Sequence, residues 1–131
     1  MIEPEFIHFK EIKDYRGGLV ALEQGQNVPF EIKRVYYIYG TPANTRRGFH
    51  AHKALEQVAI CVKGACSFLL DNGKGKVDCR LDSPAVGLYI GKNIWHEMYN
   101  FTDDCVLMVL ASELYDESDY IRDYNDFLKE V

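Results

Sequence analysis

The sequence predicts an all-β domain, built as a small barrel or sandwich, with one α-helix at its C-terminal end. About ten short runs rich in β-branched and aromatic residues alternate with turn signals, as in barrels and sandwiches of short strands. Helical spacing of apolar residues appears only in the tail, at Tyr120, Ile121, Tyr124, Phe127 and Leu128. The chain has 131 residues, which suits a single domain with one core.

The predicted strands follow the turn signals along the chain. Turn signals stand at 14–18, 25–27, 40–45 and, as a hairpin sequence Asp-Asn-Gly, at 71–73. The strands expected between them are one or two within 1–14, then 19–22, 30–39, an extended segment over 47–62, 65–71, 77–81, 86–90, 94–100 and 105–111.

The tail is predicted to be helical over about residues 117–129, packed on the outside of the barrel. Asp116 or Ser118 stands where an N-cap is needed. One domain over residues 1–131 is therefore expected, with the barrel occupying about residues 1–112.

Composition excludes several classes of function. The formal net charge is −5 and no block of Lys or Arg stands out, so binding to nucleic acid is not expected. The first ten residues lack the pattern of a signal peptide, and every apolar run is shorter than the roughly 18 residues of a membrane span. The four cysteines form no C-x-x-C pair and read as buried free thiols, which predicts a cytoplasmic protein.

The strongest candidate site is the run Arg-Gly-Phe-His-Ala-His-Lys at 47–53. His50 and His52 stand two residues apart, so on a strand both side chains point to the same face and converge on one ligand. Glu56 follows with matching parity. A second segment, Gly-Lys-Asn-Ile-Trp-His-Glu-Met-Tyr-Asn, carries His96.

These two segments resemble the two-part signature of the cupins. H-x-H-x3-E followed by G-x4-H-x3-N approximates that signature, which implies a small β-barrel with the two segments on facing strands of its interior. Cupins carry many functions, so the signature predicts the fold more specifically than the chemistry.

Two chemical uses of the histidines remain open on spacing alone. His50, His52, Glu56 and His96 form an acceptable ligand set for iron, manganese, nickel or zinc. Alternatively, two imidazoles on one face serve as acid and base toward neighbouring carbons of a substrate, because histidine takes and gives protons near neutral pH.

Three other residues are candidates for substrate contact. Arg34 and Tyr36 share one face of the strand predicted at 30–39, where Tyr36 can bind a sugar oxygen or simply line the barrel. Arg47 directly precedes the Gly-Phe-His run and suits a phosphate group, the alternative being a solvated arginine.

Longer stretches of the chain resemble one family of enzymes, the dTDP-4-oxo-6-deoxyglucose 3,4-ketoisomerases. The matching sequences are D-x-R-G-x-L from Asp14, PFEIKRVYYI from Pro29, RGFHAHK from Arg47, LDSPAVGLYI from Leu81, WHEM from Trp95 and LASELYDESDYIRDY from Leu110. The resemblance is collinear through nearly the whole chain.

The resemblance implies a homodimeric isomerase that uses no metal and no other cofactor, with N-terminal strands exchanged between subunits. Its implied substrate is dTDP-4-dehydro-6-deoxy-α-D-glucose, and its product is a 3-keto sugar for 3-amino-3,6-dideoxyhexoses of a lipopolysaccharide or S-layer glycan. Carried onto this sequence, His50 and His52 transfer protons, while Tyr36 and Arg47 assist and bind. The substrate-binding residues expected in total are Arg47, Arg16, His96 and Arg34.

The resemblance also bears on the configuration of the product at C4. Family members differ at the positions of Arg16 and His96, and this pair is typical of the galacto type. Three alternatives to the isomerase remain: a metal-dependent cupin enzyme, a noncatalytic sugar-nucleotide-binding cupin, and a 3,5-epimerase of the same substrate.

Overall fold

The computed structural model describes residues 2–131 and confirms the predicted all-β fold with a C-terminal helix. Within these residues there are twelve strands, one 3-10 turn and one α-helix. They are β1 (Glu5–His8), β2 (Ile12–Asp14), β3 (Gly17–Leu19), β4 (Arg34–Tyr39), β5 (Arg47–His52), β6 (Gln57–Lys63), β7 (Cys66–Asp71), β8 (Lys76–Leu81), β9 (Val86–Ile90), β10 (Trp95–Tyr99), β11 (Val106–Ala111), the 3-10 turn (Glu117–Asp119), β12 (Tyr120–Ile121) and α1 (Tyr124–Glu130).

Two five-stranded antiparallel sheets build the barrel. One has the order β1-β9-β6-β11-β4 and the other the order β12-β5-β10-β7-β8, while β2 and β3 form a separate hairpin. The largest core cluster joins residues of both sheets, such as Phe68 from β7, Leu88 from β9 and Leu107 from β11. No helix within residues 2–131 is long and apolar enough to cross a membrane.

Strand β4 alternates as its sequence predicts. Arg34, Tyr36 and Ile38 are half-buried, whereas the intervening Val35 and Tyr37 are exposed. The predicted shared face of Arg34 and Tyr36 is therefore confirmed, and it is the face that looks into the barrel.

Several strand boundaries differ from the prediction. The segment predicted as extended over 47–62 breaks between His52 and Gln57, because the backbone N–H groups of Ala54 and Leu55 donate to the Asp119 carboxylate instead of to a strand. The strand predicted at 30–39 begins only at Arg34.

The predicted helix at 117–129 is wrong in its first half. Asp116 does act as an N-cap, but of the 3-10 turn, through its bond from the Ser118 N–H. Tyr120 and Ile121 then pair with β5, and α1 begins at Tyr124 with Asp123 as its N-cap. Two residues that local periodicity assigns to the helix thus pair with the edge of β5. The hydrogen bonds between the strands and the burial of these side chains outweigh their weak helix propensity.

The cysteines are free thiols, as predicted. Cys61, Cys66 and Cys105 are buried in the core, and Cys79 is half-buried. Burial raises the pKa of Cys105 to about 12. Burial likewise raises the pKa of Cys79 to about 11, so these two thiols stay protonated at neutral pH. The buried thiols pack as small apolar side chains.

Candidate active site

Three histidines meet on the interior face of the second sheet. His50 and His52 lie on β5, and His96 lies on β10 directly opposite His50. The ring centroids are 5.0 Å apart for His50 and His52, 4.6 Å for His50 and His96, and 5.9 Å for His52 and His96. The predicted convergence is present, although the two segments lie on neighbouring hydrogen-bonded strands and not on facing strands.

A β-bulge in β5 determines which side chains accompany the histidines. His96 pairs with His50 and Glu97 pairs with Gly48, so Phe49 is the extra residue. Gly48 has a φ of 93°, and a Cβ there would lie 2.8 Å from the His96 carbonyl oxygen. Only glycine fits this left-handed, crowded position, which explains the glycine of the Arg-Gly-Phe-His run.

The bulge also changes the face on which Arg47 lies. Simple alternation would put Arg47 on the sheet face opposite His50, since their numbers differ in parity. After the bulge Arg47 pairs with Met98, whose side chain is buried in the core. Arg47 therefore shares the interior face with His50 and remains exposed at its rim.

The environment keeps the three imidazoles neutral. Burial lowers the pKa of His50. It also lowers the pKa of His96, to well below the ordinary value of a histidine. Burial is the main reason that the pKa of His52 is lowered to about 3. Electrostatic interactions with His50, Arg34 and Arg122 contribute less. A neutral imidazole has one nitrogen free to accept a proton and one that donates, which is the state required for acid/base work at neutral pH.

Tyr36 lies on β4, and its half-buried side chain faces the interior of the barrel. Gln57 Nε2 donates a hydrogen bond of 2.8 Å to Tyr36 Oη. Burial raises the pKa of Tyr36 to about 12, although the charges of Arg34 and Arg47 oppose this. Because Oη accepts from Gln57, its own proton is free to be donated to a ligand.

Gln57 was not identified from the sequence. It is buried at the first position of β6, next to Glu56, which alternation suggested as a metal ligand. The break after His52 moves Glu56 away from the histidines, and its carboxylate accepts a hydrogen bond from the Tyr89 hydroxyl. The predicted contribution of Glu56 to the histidine cluster is therefore wrong.

A cavity of about 430 Å³ opens beside His52. Arg34 lines it, and its buried Nε has no hydrogen-bond partner within residues 2–131. The guanidinium lies over the rings of Tyr36 and Tyr115, at 5.2 Å and 5.7 Å from their centroids. A buried, unpaired guanidinium N–H is a binding point for an anion or a carbonyl oxygen.

Tyr120 is the second site residue that sequence reasoning missed. Its ring packs edge-on against His50 and His52, at centroid distances of 5.1 Å and 4.3 Å. The apolar periodicity of the tail assigned it to a helix on the outside of the barrel, and pairing of β12 with β5 places it over the histidines instead.

Arg16 lies on the exposed turn between β2 and β3 and pairs with Asp14 at 2.6 Å. Within residues 2–131 of a single chain, none of the contacts of the three histidines involves Arg16. The structure thus brings together His50, His52 and His96. It places Tyr36 and Arg34 on the interior face of β4 and Arg47 at the rim of the face that carries the histidines, and it leaves Arg16 apart.

Comparison with known proteins identifies close relatives. Residues 2–131 match the family model described as FdtA: WxcM-like, C-terminal. A curated relative, the TDP-4-oxo-6-deoxy-alpha-D-glucose-3,4-oxoisomerase of Aneurinibacillus thermoaerophilus, is 56% identical over 130 residues, which cover 99% of this chain and 94% of that protein.

Solved structures are equally similar. One is the 3,4-ketoisomerase QdtA from Thermoanaerobacterium thermosaccharolyticum, solved as a variant with one histidine replaced by asparagine and in complex with TDP-4-keto-6-deoxyglucose. It is 45% identical to this chain with a TM-score of 0.96, and the match covers 99% of this chain and 94% of that one. The TDP-quinovose 3,4-ketoisomerase WlaRB of Campylobacter jejuni is 50% identical with a TM-score of 0.93, covering 98% of this chain and 99% of its own.

Proposed function

This chain belongs to the family of TDP-sugar 3,4-ketoisomerases and is an isomerase, and we propose on that premise that it converts dTDP-4-dehydro-6-deoxy-α-D-glucose into the dTDP-3-dehydro-6-deoxyhexose of galacto configuration. The observation that carries the proposal is the cluster of three neutral imidazoles on the interior face of the second sheet, with the protonated Tyr36 on the interior face of β4.

The reaction moves a carbonyl from C4 to C3 without a change in composition. One imidazole removes the proton on C3, and the electron pair of that bond forms the C3–C4 double bond of an enediol as O4 gains a proton. Loss of the O3 proton then makes the C3 carbonyl, and a proton is delivered to C4. His50 and His52 supply these transfers, because their neutral rings lie side by side and reach adjacent carbons.

Tyr36 is proposed to bind the oxygen on which negative charge develops. Its hydroxyl keeps its proton at neutral pH, since its pKa is raised to about 12. The hydrogen bond from Gln57 fixes the hydroxyl and leaves its proton for the substrate. A preorganised donor in a buried site stabilises an enediolate more than water does.

Arg34 and Arg47 are proposed to bind the anionic nucleotide sugar. Arg34 offers a buried unpaired Nε beside the cavity. Arg47 is exposed at the rim of the sheet face that carries His50. This arrangement supports a substrate that has its sugar at the histidines and its charged diphosphate at the rim.

The galacto outcome rests on Arg16 and His96. A second structure of QdtA, 47% identical to this chain with a TM-score of 0.96, is a double variant that has arginine in place of a tyrosine and histidine in place of an arginine. The positions substituted in the two QdtA variants carry numbers one higher than His50, Arg16 and His96. We therefore propose that Arg16 and His96 of this chain correspond to those substituted positions and decide which face of C4 receives the final proton.

Arg16 reaches a set of histidines only if subunits associate, and we propose a homodimer with exchanged N-terminal strands. The hairpin that carries Arg16 exposes Ile12, Tyr15 and Leu19, and β4 exposes Tyr37 and Tyr39. Apolar surface of this extent on strands is a feature of interfaces. In such a dimer Arg16 of one subunit approaches the cavity of the other.

The cellular role follows from the product. A 3-keto sugar nucleotide is the substrate that a pyridoxal-phosphate aminotransferase requires to make a 3-amino-3,6-dideoxyhexose. Nucleotide sugars and four free thiols both suit the cytoplasm, where we place the protein.

NMR identification of the product tests this function. The purified protein is incubated with the dTDP 4-keto sugar in D2O, and we expect a 3-keto sugar of galacto configuration with deuterium on a ring carbon. Unchanged substrate, or epimerisation at C5 without movement of the carbonyl, would contradict the proposal.

A metal-dependent cupin is the second candidate, and one observation favours it. Nitrogen atoms of His50, His52 and His96 lie within 4.8 Å of one another, and neutral imidazoles suit zinc, iron, copper or nickel. Elemental analysis of protein purified without added metal discriminates the two. Stoichiometric metal together with activity lost to a chelator would establish this candidate in place of the metal-free isomerase.

A further inference from the structure

His52 is buried with unsatisfied nitrogens. The ring is 3% exposed, and neither Nδ1 nor Nε2 has a hydrogen-bond partner within residues 2–131. Most buried polar atoms are paired, so a ring with two free nitrogens indicates partners that engage during function. The nearest charged group to Nδ1 is the Asp119 carboxylate, whose Oδ2 lies 3.7 Å away.

We propose that Asp119 is a positioning residue that holds His52 in the tautomer with the proton on Nδ1 and thereby leaves Nε2 free to accept a proton from the substrate. The inference rests on the proposed function of His52 in proton transfer. It adds a residue from the C-terminal tail, which neither the cupin signature nor the family sequences around the histidines include.

Asp119 is fixed in place before any substrate binds. Its Oδ1 accepts a bond of 2.8 Å from the Ala54 N–H, and its Oδ2 accepts one of 3.1 Å from the Leu55 N–H. Its own carbonyl accepts from the Lys53 N–H at 3.1 Å. The three residues that follow His52 are thus hydrogen-bonded to Asp119, which couples the position of this segment to that of Asp119.

These contacts hold the Asp119 carboxylate in place and leave room for His52. Each carboxylate oxygen accepts more than one hydrogen bond, so Oδ2 retains a lone pair for Nδ1–H. A gap of 3.7 Å is longer than a hydrogen bond, but such catalytic contacts shorten when substrate closes the site.

The chemical need for Asp119 comes from the charges around His52. The rings of His50, His96 and Tyr120 pack near this imidazole, and the charges of Arg34 and Arg122 lower its pKa. They oppose the imidazolium that forms when His52 takes a proton from carbon. A carboxylate on the opposite nitrogen stabilises that cation and fixes the tautomer, as in the serine protease triad.

Packing supports the same arrangement. Tyr120 follows Asp119 directly, and its ring lies edge-on against His52 at 4.3 Å. The backbone of Tyr120 pairs with His52 in the ladder between β12 and β5. The tail therefore contacts His52 through backbone, ring and carboxylate, and its break from helical structure at this point has a functional reason.

The experiment begins with the wild-type protein without ligand. Nitrogen-15 NMR of labelled histidines at pH 7 reports which ring nitrogen carries the proton, and we expect the Nδ1–H tautomer for His52. The His52 signal is assigned by its loss in His52→Asn. An Nε2–H tautomer in the wild type would overturn the proposal without any variant of Asp119.

Asp119→Asn then tests the link directly. An amide that donates to Nδ1 stabilises the Nε2–H tautomer, so the His52 signal should switch and kcat should fall about 10- to 100-fold with KM changed less than about twofold. Asp116→Asn is the matched control, since it disturbs the same 3-10 turn without contacting His52, and its tautomer and kcat should match the wild type.

Asp119→Glu separates position from charge. It retains the carboxylate, so the Nδ1–H tautomer should return and part of kcat with it. An unchanged tautomer in Asp119→Asn, or equal losses of kcat in Asp116→Asn and Asp119→Asn, would overturn the proposal. If the wild type does not isomerise the 4-keto sugar, the proposed function fails, while the NMR measurement still decides whether Asp119 sets the tautomer of His52.

Discussion

Tyr36 and Gln57 are joined by a hydrogen bond of 2.8 Å that spans the two strands β4 and β6, although 21 residues separate them in the chain. The amide donates and the phenol oxygen accepts, so the phenol proton remains available for donation to a ligand inside the barrel. The direction of this bond gives Tyr36 a donor role, and Gln57→Leu tests it.

Gln57→Leu should lower kcat about 2- to 10-fold, which corresponds to the loss of one hydrogen bond of roughly 0.5–1.5 kcal/mol. The pKa of Tyr36 should rise further, because the Gln57 bond favours its ionised form. Steady-state kinetics measure the effect, and Gln26→Leu on an exposed turn is the control. A rate equal to the wild type would show that Gln57 does not orient Tyr36.

Replacement of either proton-transfer candidate should abolish most activity. His50→Asn and His52→Asn should each lower kcat by about 10²- to 10⁴-fold, the usual contribution of a general acid or base. The fold should persist, as circular dichroism and thermal melting would show. His8→Asn serves as the control, since His8 is exposed on β1 outside the site. Retained activity in a His50, His52 double variant would exclude both from catalysis.

The bulge at Gly48 is expected to control activity as well as stability. Gly48→Ala adds a Cβ at 2.8 Å from the His96 carbonyl and at a φ of 93°, which should cost about 1–3 kcal/mol of unfolding free energy and lower kcat by displacing His96. Gly25→Ala has a similar backbone strain, with a φ of 77°, but nothing within 4 Å.

The comparison of these two variants by urea unfolding and kinetics separates strain from crowding. Gly25→Ala should lose stability and keep kcat, whereas Gly48→Ala should lose both. Equal kcat values in the two variants would mean that the close approach of β5 and β10 is irrelevant to the site.

The fold, the histidine pair and the shared face of Arg34 and Tyr36 follow from local sequence, whereas Gln57, Asp119 and Tyr120 do not. Alternation fixes the shared faces of His50 with His52 and of Arg34 with Tyr36, because period 2 is a local property of a strand. Arg47 reaches the interior face only because of the bulge in β5, and Gln57 takes its position because of the break after His52. Both features depend on contacts with segments that are distant in the chain. The sequence could not identify Asp119 and Tyr120 as site residues, because their local pattern indicates a helix. Pairing of Tyr120 and Ile121 with the free edge of β5 makes this segment a strand instead.

Acid should destabilise the protein through its buried histidines. The pKa of His52 is about 3 in the folded protein, below its unfolded value, so unfolding takes up a proton once the pH falls below about 6.5. The stability contributed by the neutral ring is thus complete above that pH and is lost as the pH falls toward 3.

Urea unfolding at pH 6.5 and pH 5 measures this loss, which should be about 1–2 kcal/mol for His52 alone. His52→Asn should show a smaller difference between the two pH values than the wild type does. Equal differences would mean that His52 titrates normally in the folded state.

Dimer formation is expected to depend on the exposed face of the β2–β3 hairpin. Ile12 and Leu19 pair across this hairpin and are 58% and 56% exposed in the single chain. Burial of two such side chains stabilises an interface by roughly 1.5–3 kcal/mol each, and a charge there reverses the gain. Ile12→Glu should therefore shift the proposed dimer toward monomer in sedimentation velocity.

The same variant should lose activity if Arg16 acts across the interface, because the hairpin then no longer carries Arg16 to the neighbouring cavity. Leu128→Glu, at an exposed position of α1 outside the hairpin, is the control and should remain dimeric and active. A monomeric Ile12→Glu with full activity and an unchanged product would place Arg16 outside the reaction, and the galacto outcome would then have to depend on His96 without it.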